Sequence, residues 1–397
     1  MNKKALRDYI RSKYPDNPWV KKQIAKLRIL RYNSTKAALN EADIKRAEVD
    51  KSYKGKIVKE QKKRINRKLY LYLDNSIHRL CDKLFKEIDQ QEVESIIRDI
   101  WFCRLIYGFL PEEYICYELK DKDYNYRKSF ISDIEKSNYV FRMNDISDIQ
   151  ILNDKVKTYQ FFNKYYHRDA ICVKTAGDFN QFLSFIQKHP AFVKKNAYES
   201  TGRSVELVDL SSNGRDAGEV FKQIIGDGKH ILEEKVIQSH FTSDLHESSV
   251  NTIRCITFNT KEGITDKYYF MKVGQGGSFI DNGGAGGILV GIDRETGRLN
   301  TDGFDEYNRR YVTHPDTGIT FKGFQLPEWN ELRSLCKELS AKLPTVKFIG
   351  WDLAHTDDGW IVIEGNGMSQ LIGPQTVFKR GCKAEVEALL EKMDLIL

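Results

Sequence analysis

Two short apolar runs near the C-terminus each end in side chains that carry ligand oxygens, and this pairing constrains the fold more than any other feature. The runs lie at residues 348–353 and 360–366 and read as buried strands. Between them, residues 355–359 include Asp357, Asp358 and Gly359, which favour a tight turn. The sequence therefore predicts a β-hairpin close to the C-terminus.

Three polar side chains mark this hairpin as a candidate magnesium site. Glu364 and Asn366 are two residues apart, so they share one face of the second strand. Asp352 ends the apolar part of the first strand and adds a second carboxylate. Mg²⁺ prefers oxygen ligands and is usually held by one or two carboxylates plus nucleotide phosphates. We predict a site made of Asp352, Glu364 and Asn366; the alternative is a hairpin whose polar side chains simply face water.

Length and composition indicate a folded protein and exclude several classes. The 397 residues suffice for two or three structural units, and 41% hydrophobic residues support a buried core. No run approaches the ~20 apolar residues that span a bilayer, and the lysine-rich N-terminus lacks a signal-peptide core. Seven cysteines, an odd number without Cys-x-x-Cys spacing, are typical of cytosolic thiols rather than a disulfide framework or zinc site. We expect a cytoplasmic protein without a transmembrane segment.

The net charge of +7 hides an asymmetry along the chain. Residues 1–80 contain 23 Lys and Arg against 8 Asp and Glu, a net +15, so the remainder carries −8. The basic residues 51–68 have a helical composition and precede the apolar and tyrosine run 69–73. Such a stretch suits peripheral contact with the anionic inner face of a membrane; the alternative is a solvated helical face. No zinc-finger or RNP-type motif accompanies the charge, so we expect no nucleic-acid partner.

The predicted secondary structure changes near residue 150. Residues 1–150 read as a basic, mainly helical region, with helical spacing over 92–107 and a polar, aromatic connector over 111–148. Residues 151–397 alternate between strands and helices, beginning with a helix from Lys155 to Tyr166 capped by Asp154. Strand-like segments follow at 191–195, 204–208, 230–236, 251–259 and 267–273, with helices at 216–225 and 328–343. We therefore predict two domains, 1–150 and 151–397.

The order of motifs in residues 151–397 resembles the ATP-grasp superfamily. Within it, the motifs at 107–114, 251–254, 281–284 and 348–352 resemble a family associated with sugar transfer and polysaccharide biosynthesis. The resemblance implies an α+β fold in which two α+β subdomains grip ATP, with a helical N-terminal region. It also implies ATP and Mg²⁺ as cofactors, and it matches Asp352, Glu364 and Asn366 to the magnesium ligands of the family.

The resemblance implies a nucleotide site on four segments. Its residues are Lys155, Lys194 and Lys195, the phosphate-loop residues Ser200, Thr201 and Gly202, and the hinge residues Glu233, Glu234, Lys235 and Val236. The hinge between subdomains is expected near 233–237. Only one of the adjacent lysines can face the cleft of a regular strand, and the family pattern favours Lys194. The phosphate loop departs from the family because it holds one glycine and adds Arg203.

Catalytic and acceptor-binding residues are expected on the following strands. Arg254 shares a strand face with Thr252, and Lys272 ends the next strand, so either would bind the transferred phosphoryl group. Arginine binds oxyanions in a bidentate manner; structural salt bridges are the alternative for both. The glycine-rich segment 274–287 predicts a loop that wraps a substrate, or else a surface connection. Asn251, Ser278 and Asn282 are the candidate acceptor contacts.

These features together predict an ATP-dependent carboxylate–amine ligase that works through an acyl phosphate. By resemblance, the carboxylate lies on a sugar acid or amino acid of a surface polysaccharide, and the partners are carboxylate-bearing and amine-bearing small molecules or glycans. Two alternatives stay open: a phosphotransferase acting on a sugar or other small acceptor, and a nucleotide-binding scaffold of a glycosyltransferase complex. The three predicted magnesium ligands argue against a pure scaffold.

Overall fold

The chain divides into two units, and each unit is built from more than one segment of the sequence. The computed structural model describes residues 18–33, 35–199, 205–211, 216–279, 281, 284 and 286–395. The first unit extends to Ser147 and also takes in Glu306–Arg309 and the chain from Gln370 onward. The second unit comprises Asp148–Asp305 and Arg310–Ser369. The sequence predicted one continuous domain over 151–397, whereas the described residues from Gln370 onward group with the first unit.

Helices build the first unit. Its N-terminal part contains α1 (Pro18–Asn33), α2 (Glu41–Val49), α3 (Lys51–Lys62), α4 (Arg67–Leu84), α5 (Gln90–Ile106), α6 (Pro111–Cys116), α7 (Tyr124–Ser129) and α8 (Asp133–Met143). The Asp89 carboxylate caps α5, and α5 ends just before Gly108, whose φ of +83° favours glycine. One apolar cluster around Trp101, Phe102 and Tyr117 forms the core of this unit.

The prediction of a connector over residues 111–148 was wrong. Helices α6, α7 and α8 lie there, and Tyr114, Phe130 and Tyr139 from this segment are buried. The local signals were present, since Pro111 occupies the first turn of α6 and Ser132 with Glu135 forms a capping box on α8. The aromatic residues of the segment therefore fill the core of the first unit.

The second unit begins with a four-stranded antiparallel sheet. Two helices, α9 (Ile149–Asn153) and α10 (Lys155–Phe162), precede β1 (Ala170–Val173), α11 (Phe179–Lys188), β2 (Ala191–Asn196), β3 (Val205–Asp209), α12 (Ala217–Gly226) and β4 (His230–Glu234). Asp154 caps α10 as predicted, but this helix stops at Phe162 and continues as a 3-10 turn, Asn163–Tyr165. The strand order is β1-β4-β2-β3. Phe182, Phe192, Phe221 and Leu232 form the core that joins this sheet to α11 and α12.

A seven-stranded antiparallel sheet completes the second unit. It contains β5 (Thr252–Thr260), β6 (Gly263–Val273), β7 (Ile288–Ile292), β8 (Leu299–Phe304), β9 (Arg310–Tyr311), β10 (Phe348–Thr356) and β11 (Gly359–Asn366), in the order β11-β10-β5-β6-β7-β8-β9. The short α13 (His240–Ser243) precedes β5, and α14 (Trp329–Ala341) precedes β10. The last helices, α15 (Ile372–Phe378) and α16 (Lys383–Glu391), belong to the first unit.

The two faces of this sheet have opposite chemistry. Residues from alternate positions, such as Cys255, Met271 and Trp351, pack with Leu332 and Leu339 of α14 in one apolar core. Residues at the intervening positions of the same strands therefore point to the other face. That face carries the polar side chains of the candidate site. Among the described residues, no helix is both long and apolar enough to cross a membrane.

Candidate functional site

A single cleft in the second unit collects most of the residues singled out from sequence. It is lined by residues of the four-stranded sheet and of the polar face of the seven-stranded sheet. The predicted residues that line it are Lys155, Lys195, Glu233, Glu234, Lys235, Val236, Arg254, Lys272, Asp352, Glu364 and Asn366. Positions separated by more than 200 residues in sequence thus converge on one space.

A β-bulge aims the candidate magnesium ligands into this cleft. In the hairpin of β10 and β11, Asp352 pairs with Glu364, but Leu353 pairs with Val362, so Ile363 is an extra residue. Val362 packs in the apolar core beside α14. In a regular strand Glu364 would share that face with Val362, whereas the bulge turns it to the cleft side. Without the extra residue, the hairpin would point Glu364 and Asn366 into the core.

Asp352 is the electrostatic centre of the cleft. It is 3% exposed, and Arg254 holds it in a bidentate pair, with Nη2 donating to Oδ2 at 2.7 Å and Nε to Oδ1. The Lys272 ammonium lies 3.2 Å from the same Oδ2. Burial alone would raise the pKa of Asp352, but Arg254 and Lys272 together lower it below its usual value. Asp352 is therefore a charged carboxylate at neutral pH.

The donor set suits a magnesium ion that is shared with phosphates. The Asn366 amide lies beside Asp352, with Nδ2 3.4 Å from Oδ2, and Glu364 is the register partner of Asp352. No group of three His, Cys, Asp or Glu side chains forms a metal cluster in the described part of the chain. Two carboxylates and one amide leave room for nucleotide oxygens, which matches the way proteins hold Mg²⁺ with ATP. The residues therefore fit this ion.

Of the two adjacent lysines, Lys195 rather than Lys194 lines the cleft. Lys195 Nζ lies 2.9 Å from Glu233 Oε2, and both side chains border the cleft. Lys194 lies on the other face of β2 and pairs with Glu206 of β3 at 2.7 Å. The preference for Lys194 came from a family pattern, whereas strand register decides which lysine faces the cleft. The placement favours Lys195 as the phosphate-binding lysine.

The expected hinge lies where β4 leaves the four-stranded sheet. This strand ends at Glu234, and Lys235 and Val236 follow without regular structure while lining the cleft. The backbone N–H of Ser239 then donates to the carbonyl of His355 on β10 at 2.9 Å. The segment thus crosses from one sheet to the other within a few residues.

Two cleft residues, Thr252 and Asp281, were not selected from sequence as ligands. Asp281 Oδ2 accepts the backbone N–H of Thr252 at 3.0 Å and also its hydroxyl. Burial raises the pKa of Asp281, although Lys272 and the Thr252 hydrogen bonds act to lower it. The motif at 281–284 marked this position only as a family feature, because its partner lies 29 residues away in sequence.

Asn251, predicted to bind the acceptor, is a buried structural residue. It is 0% exposed, and its Nδ2 donates to the carbonyls of Thr242 and His246, each at 2.8 Å. Its Oδ1 accepts the backbone N–H of Gly274 at 3.2 Å. Gly274 begins the glycine-rich loop, and a Cβ there would lie 2.3 Å from the Ser249 hydroxyl. Asn251 therefore anchors the start of the glycine-rich loop.

Of the remaining predicted site residues, some lie outside the described part of the chain and others lie in the cleft or the glycine-rich loop. Ser200, Thr201, Gly202 and Asn282 lie outside the described residues. Ser278 belongs to the glycine-rich loop, where its backbone N–H donates to the Gln275 carbonyl at 3.2 Å. Lys155 lines the cleft, with its ammonium 3.7 Å from Glu364 and bonded to the Glu199 carbonyl.

Comparison with protein families supports the resemblance on which the sequence predictions relied. Residues 135–391, more than half of the chain, match the family described as sugar-transfer associated ATP-grasp. The match and the two antiparallel sheets confirm the predicted α+β fold class. No curated protein sequence matches the chain at a significant level.

Several solved structures show distant similarity. An ADP complex of N5-carboxyaminoimidazole ribonucleotide synthetase is 12% identical, with 57% of this chain and 48% of that chain covered and a TM-score of 0.37. The corresponding synthetase from Staphylococcus aureus, complexed with ADP, is 11% identical, with 63% of this chain and 54% of that chain covered and a TM-score of 0.39. D-alanyl-alanine synthetase A from Vibrio cholerae is 10% identical, with 62% of this chain and 67% of that chain covered and a TM-score of 0.38. The chain thus spans about half the length of the first two proteins.

Proposed function

The chain belongs to the sugar-transfer associated ATP-grasp family, and we propose that it is an ATP-dependent carboxylate–amine ligase. The proposed carboxylate belongs to a sugar acid or amino acid used in a surface polysaccharide. One observation carries the proposal: two cations, Arg254 and Lys272, line the same cleft as the oxygen ligands Asp352, Glu364 and Asn366. Phosphoryl transfer depends on such charges, because negative charge spreads over several oxygens during the reaction.

The cleft residues divide into three roles toward Mg·ATP. Asp352, Glu364 and Asn366 would hold Mg²⁺, which would neutralise part of the charge on the nucleotide phosphates. Lys195, and Lys155 beside Glu364, would contact the phosphates from the side of the four-stranded sheet. The backbone of Lys235 and Val236 would bind the adenine edge, as the family resemblance implies.

Arg254 and Lys272 are suited to bind the transferred group. A carboxylate oxygen of the first substrate attacks the γ-phosphorus, the bond to the bridging oxygen of ADP breaks, and an acyl phosphate forms. Both cations pair with Asp352. Because Asp352 would share its charge with Mg²⁺, both cations would keep charge for the γ-phosphoryl oxygens, and a guanidinium can bind two such oxygens at once.

Asp281 is suited to accept a proton in the second step. The amine attacks the carbonyl carbon of the acyl phosphate, phosphate leaves, and the nitrogen must lose its surplus proton. Asp281 Oδ2 is occupied by Thr252, whereas its Oδ1 has no hydrogen-bond donor among the described residues. Because burial raises the pKa of Asp281, its carboxylate is a better base than an exposed aspartate.

Product analysis tests the proposal. Purified protein is incubated with Mg·ATP and pairs drawn from a panel of uronic acids, amino acids and amino sugars, and products are identified by mass spectrometry. A ligase yields ADP, free phosphate and an amide whose mass equals both substrates less one water. A phosphotransferase yields ADP and a phosphorylated acceptor without free phosphate, and this result would replace the ligase assignment.

Hydroxylamine provides a second readout for the acyl phosphate. It traps such an intermediate as a hydroxamate without the natural amine, so a panel of carboxylates alone suffices. Asp281→Asn is expected to retain hydroxamate formation, because hydroxylamine reacts with acyl phosphates without the help of a general base. It should lose amide formation by about 100-fold or more, the usual contribution of a general base. Glu364→Gln, which alters a metal ligand, should abolish both products.

We also propose that the helical unit makes peripheral contact with anionic membranes. The tip between α3 and α4 exposes five cations: Lys59, Lys63, Arg64, Arg67 and Lys68. Beside them, Leu71 is 46% and Tyr72 67% exposed. The predicted apolar run 69–73 is only partly available, since Leu73 is buried and Leu69 and Tyr70 pack on the core. Cations next to exposed apolar side chains favour anionic headgroups.

Vesicle sedimentation tests this contact. Pelleting with vesicles that contain anionic lipid should fall as salt rises from 0.1 M, since the Debye length drops from ~10 Å toward ~3 Å at 1 M. Replacing Lys63, Arg64 and Lys68 by Gln should reduce pelleting, whereas the same change at Lys337, Lys342 and Lys347 of the second unit should not. Equal pelleting with neutral vesicles would contradict an electrostatic contact.

A further inference from the structure

Arg168 is a buried arginine that no sequence motif singled out. It lies just before β1, and its side chain is only 2% exposed. Its Nε and Nη2 lie 2.8 and 2.6 Å from Glu233 Oε2. Its Nη1 donates to the carbonyls of Val362 at 2.7 Å and Tyr166 at 3.1 Å. The guanidinium also lies over the Tyr166 ring, 4.3 Å from its centre.

The partners of Arg168 belong to both sheets of the second unit. Glu233 is in β4 of the four-stranded sheet, and Val362 is in β11, the edge strand of the seven-stranded sheet. Val362 immediately precedes the bulged Ile363 that turns Glu364 into the cleft. Glu233 Oε2 also accepts from Lys195 Nζ at 2.9 Å. A continuous path of contacts therefore runs from the cleft lysine to the strand of the metal ligands.

The charges along this path are unequal. One carboxylate, Glu233, faces two cations, so the cluster keeps one net positive charge. Burial acts to raise the pKa of Glu233, but Arg168 and Lys195 lower it to about 2, so it is ionised at neutral pH. Because Glu233 is shared, it does not neutralise Lys195 completely. The remaining positive charge is available to an anion in the cleft.

We propose that Arg168 is a positioning residue for nucleotide phosphates, which fixes Lys195 through Glu233 and ties the lysine-bearing sheet to β11. The proposal rests on the proposed function, because it takes the cleft to bind Mg·ATP. Arg168 itself does not line the cleft in the described residues. Its removal leaves Glu233 to pair with Lys195 alone and frees the Val362 carbonyl. Phosphate binding should weaken, while binding of the adenine and ribose should not.

Calorimetric titration of Arg168→Gln with Mg·ATP and with adenosine separates these effects. Adenosine carries no phosphate and reports only on the base and sugar site. We expect the Kd of Mg·ATP to rise about tenfold, the size of one lost charge-assisted contact, and the Kd of adenosine to stay within about twofold of wild type. In Arg168→Gln/Glu233→Gln, the loss of binding free energy should be smaller than the sum of the single losses, because both residues act on Lys195 by one path.

Arg333→Gln is the matched control. Arg333 also binds a buried carboxylate, with Nε 2.7 Å from Asp266 Oδ2, but it lies outside the cleft. It should lose stability without a change in either Kd. Arg168→Lys keeps the positive charge but loses the planar set of guanidinium donors. It should lose less affinity for Mg·ATP than Arg168→Gln does. It also replaces Arg168→Gln in the titration if that variant fails to fold.

Two results would overturn the inference. Unchanged Mg·ATP affinity in Arg168→Gln and Arg168→Lys would show that the path does not act on phosphates. A parallel loss of ATP and adenosine binding would assign Arg168 a general structural role. Failure of the wild-type protein to bind Mg·ATP would instead remove the proposed function, and this inference with it.

Discussion

The two carboxylates of the candidate magnesium site should differ sharply in what they do for stability. Asp352 is 3% exposed and faces two cations, Arg254 and Lys272, whose side chains are 14% and 11% exposed. Replacing it by Asn leaves both cations without a counter-charge. Removing one partner of a buried ion pair costs about 3–5 kcal/mol. We expect the lower end, about 3 kcal/mol, because the cleft admits water and the Asn oxygen still accepts hydrogen bonds.

Glu364→Gln provides the comparison within the same site. The Glu364 side chain is 31% exposed, and it forms an ion pair with Lys155 at 3.7 Å. Such partly solvated pairs contribute less than about 1 kcal/mol. The two variants are thus expected to be alike in losing the metal but unlike in stability.

Thermal unfolding of the metal-free proteins measures this difference. For domains of 150–250 residues, each kcal/mol shifts the melting temperature by about 2–4 °C. The transition of the second unit should therefore fall by about 6–12 °C in Asp352→Asn, and by no more than about 4 °C in Glu364→Gln. Equal melting temperatures for Asp352→Asn and wild type would refute the ion-pair geometry around Asp352. A large loss in Glu364→Gln would mean that Glu364 is buried.

Three further predictions concern single residues. Lys195→Ala should raise the Kd of Mg·ATP by about tenfold in calorimetric titration, whereas Lys194→Ala should leave it unchanged because Lys194 pairs with Glu206 outside the cleft; the reverse pattern would return the assignment to Lys194. Asn251→Ala should destabilise the protein by about 2–3 kcal/mol in chemical denaturation, since two buried carbonyls lose their donors; loss of acceptor binding at unchanged stability would contradict this. Because the folded-state pKa of Glu233 is lowered to about 2 from an ordinary 4.5, its stabilisation is complete above about pH 4.5 and is lost as the pH falls toward 2. The stability difference between wild type and Glu233→Gln should therefore shrink over that window, and a difference independent of pH would contradict the assignment.

The strands of the candidate site could be predicted from the sequence, because the alternation of apolar and polar residues along each strand agrees with the fold. The run 348–353 and the strand that carries Arg254 alternate between core-facing and cleft-facing residues, and this alternation survives in the sheet. The spacing of Glu364 and Asn366 likewise predicted a shared face. These features depend only on the two-residue period of a strand.

Features that depend on strand register, or on contacts between residues far apart in sequence, could not be predicted from the sequence. The extra residue at Ile363 interrupts a continuous apolar run, and nothing in that run marks which residue is unpaired. The choice between Lys194 and Lys195 depends on how β2 pairs with β3 and β4. Arg168 acts on Glu233, 65 residues later, and on Val362, 194 residues later. Sequence periodicity carries no information on such contacts.

Polar composition was a poor guide to the exposure of residues in two places. Asn251 is a polar residue beside a glycine-rich loop, a context that suggests substrate binding, yet its amide satisfies buried backbone groups. Residues 111–148 were taken for a connector because they are polar and aromatic, although Pro111 and the Ser132–Glu135 capping box signal helices. Capping signals were the better guide in that segment.

A crystal structure with Mg²⁺ and a non-hydrolysable ATP analogue is the most direct test of the proposed nucleotide and metal site. We expect the analogue in the cleft of the second unit, with its phosphates beside Lys195 and its adenine against Lys235 and Val236. The metal should be coordinated by carboxylate oxygens of Asp352 and Glu364 and by the amide oxygen of Asn366. A nucleotide bound elsewhere, or a metal that contacts none of these three side chains, would contradict it.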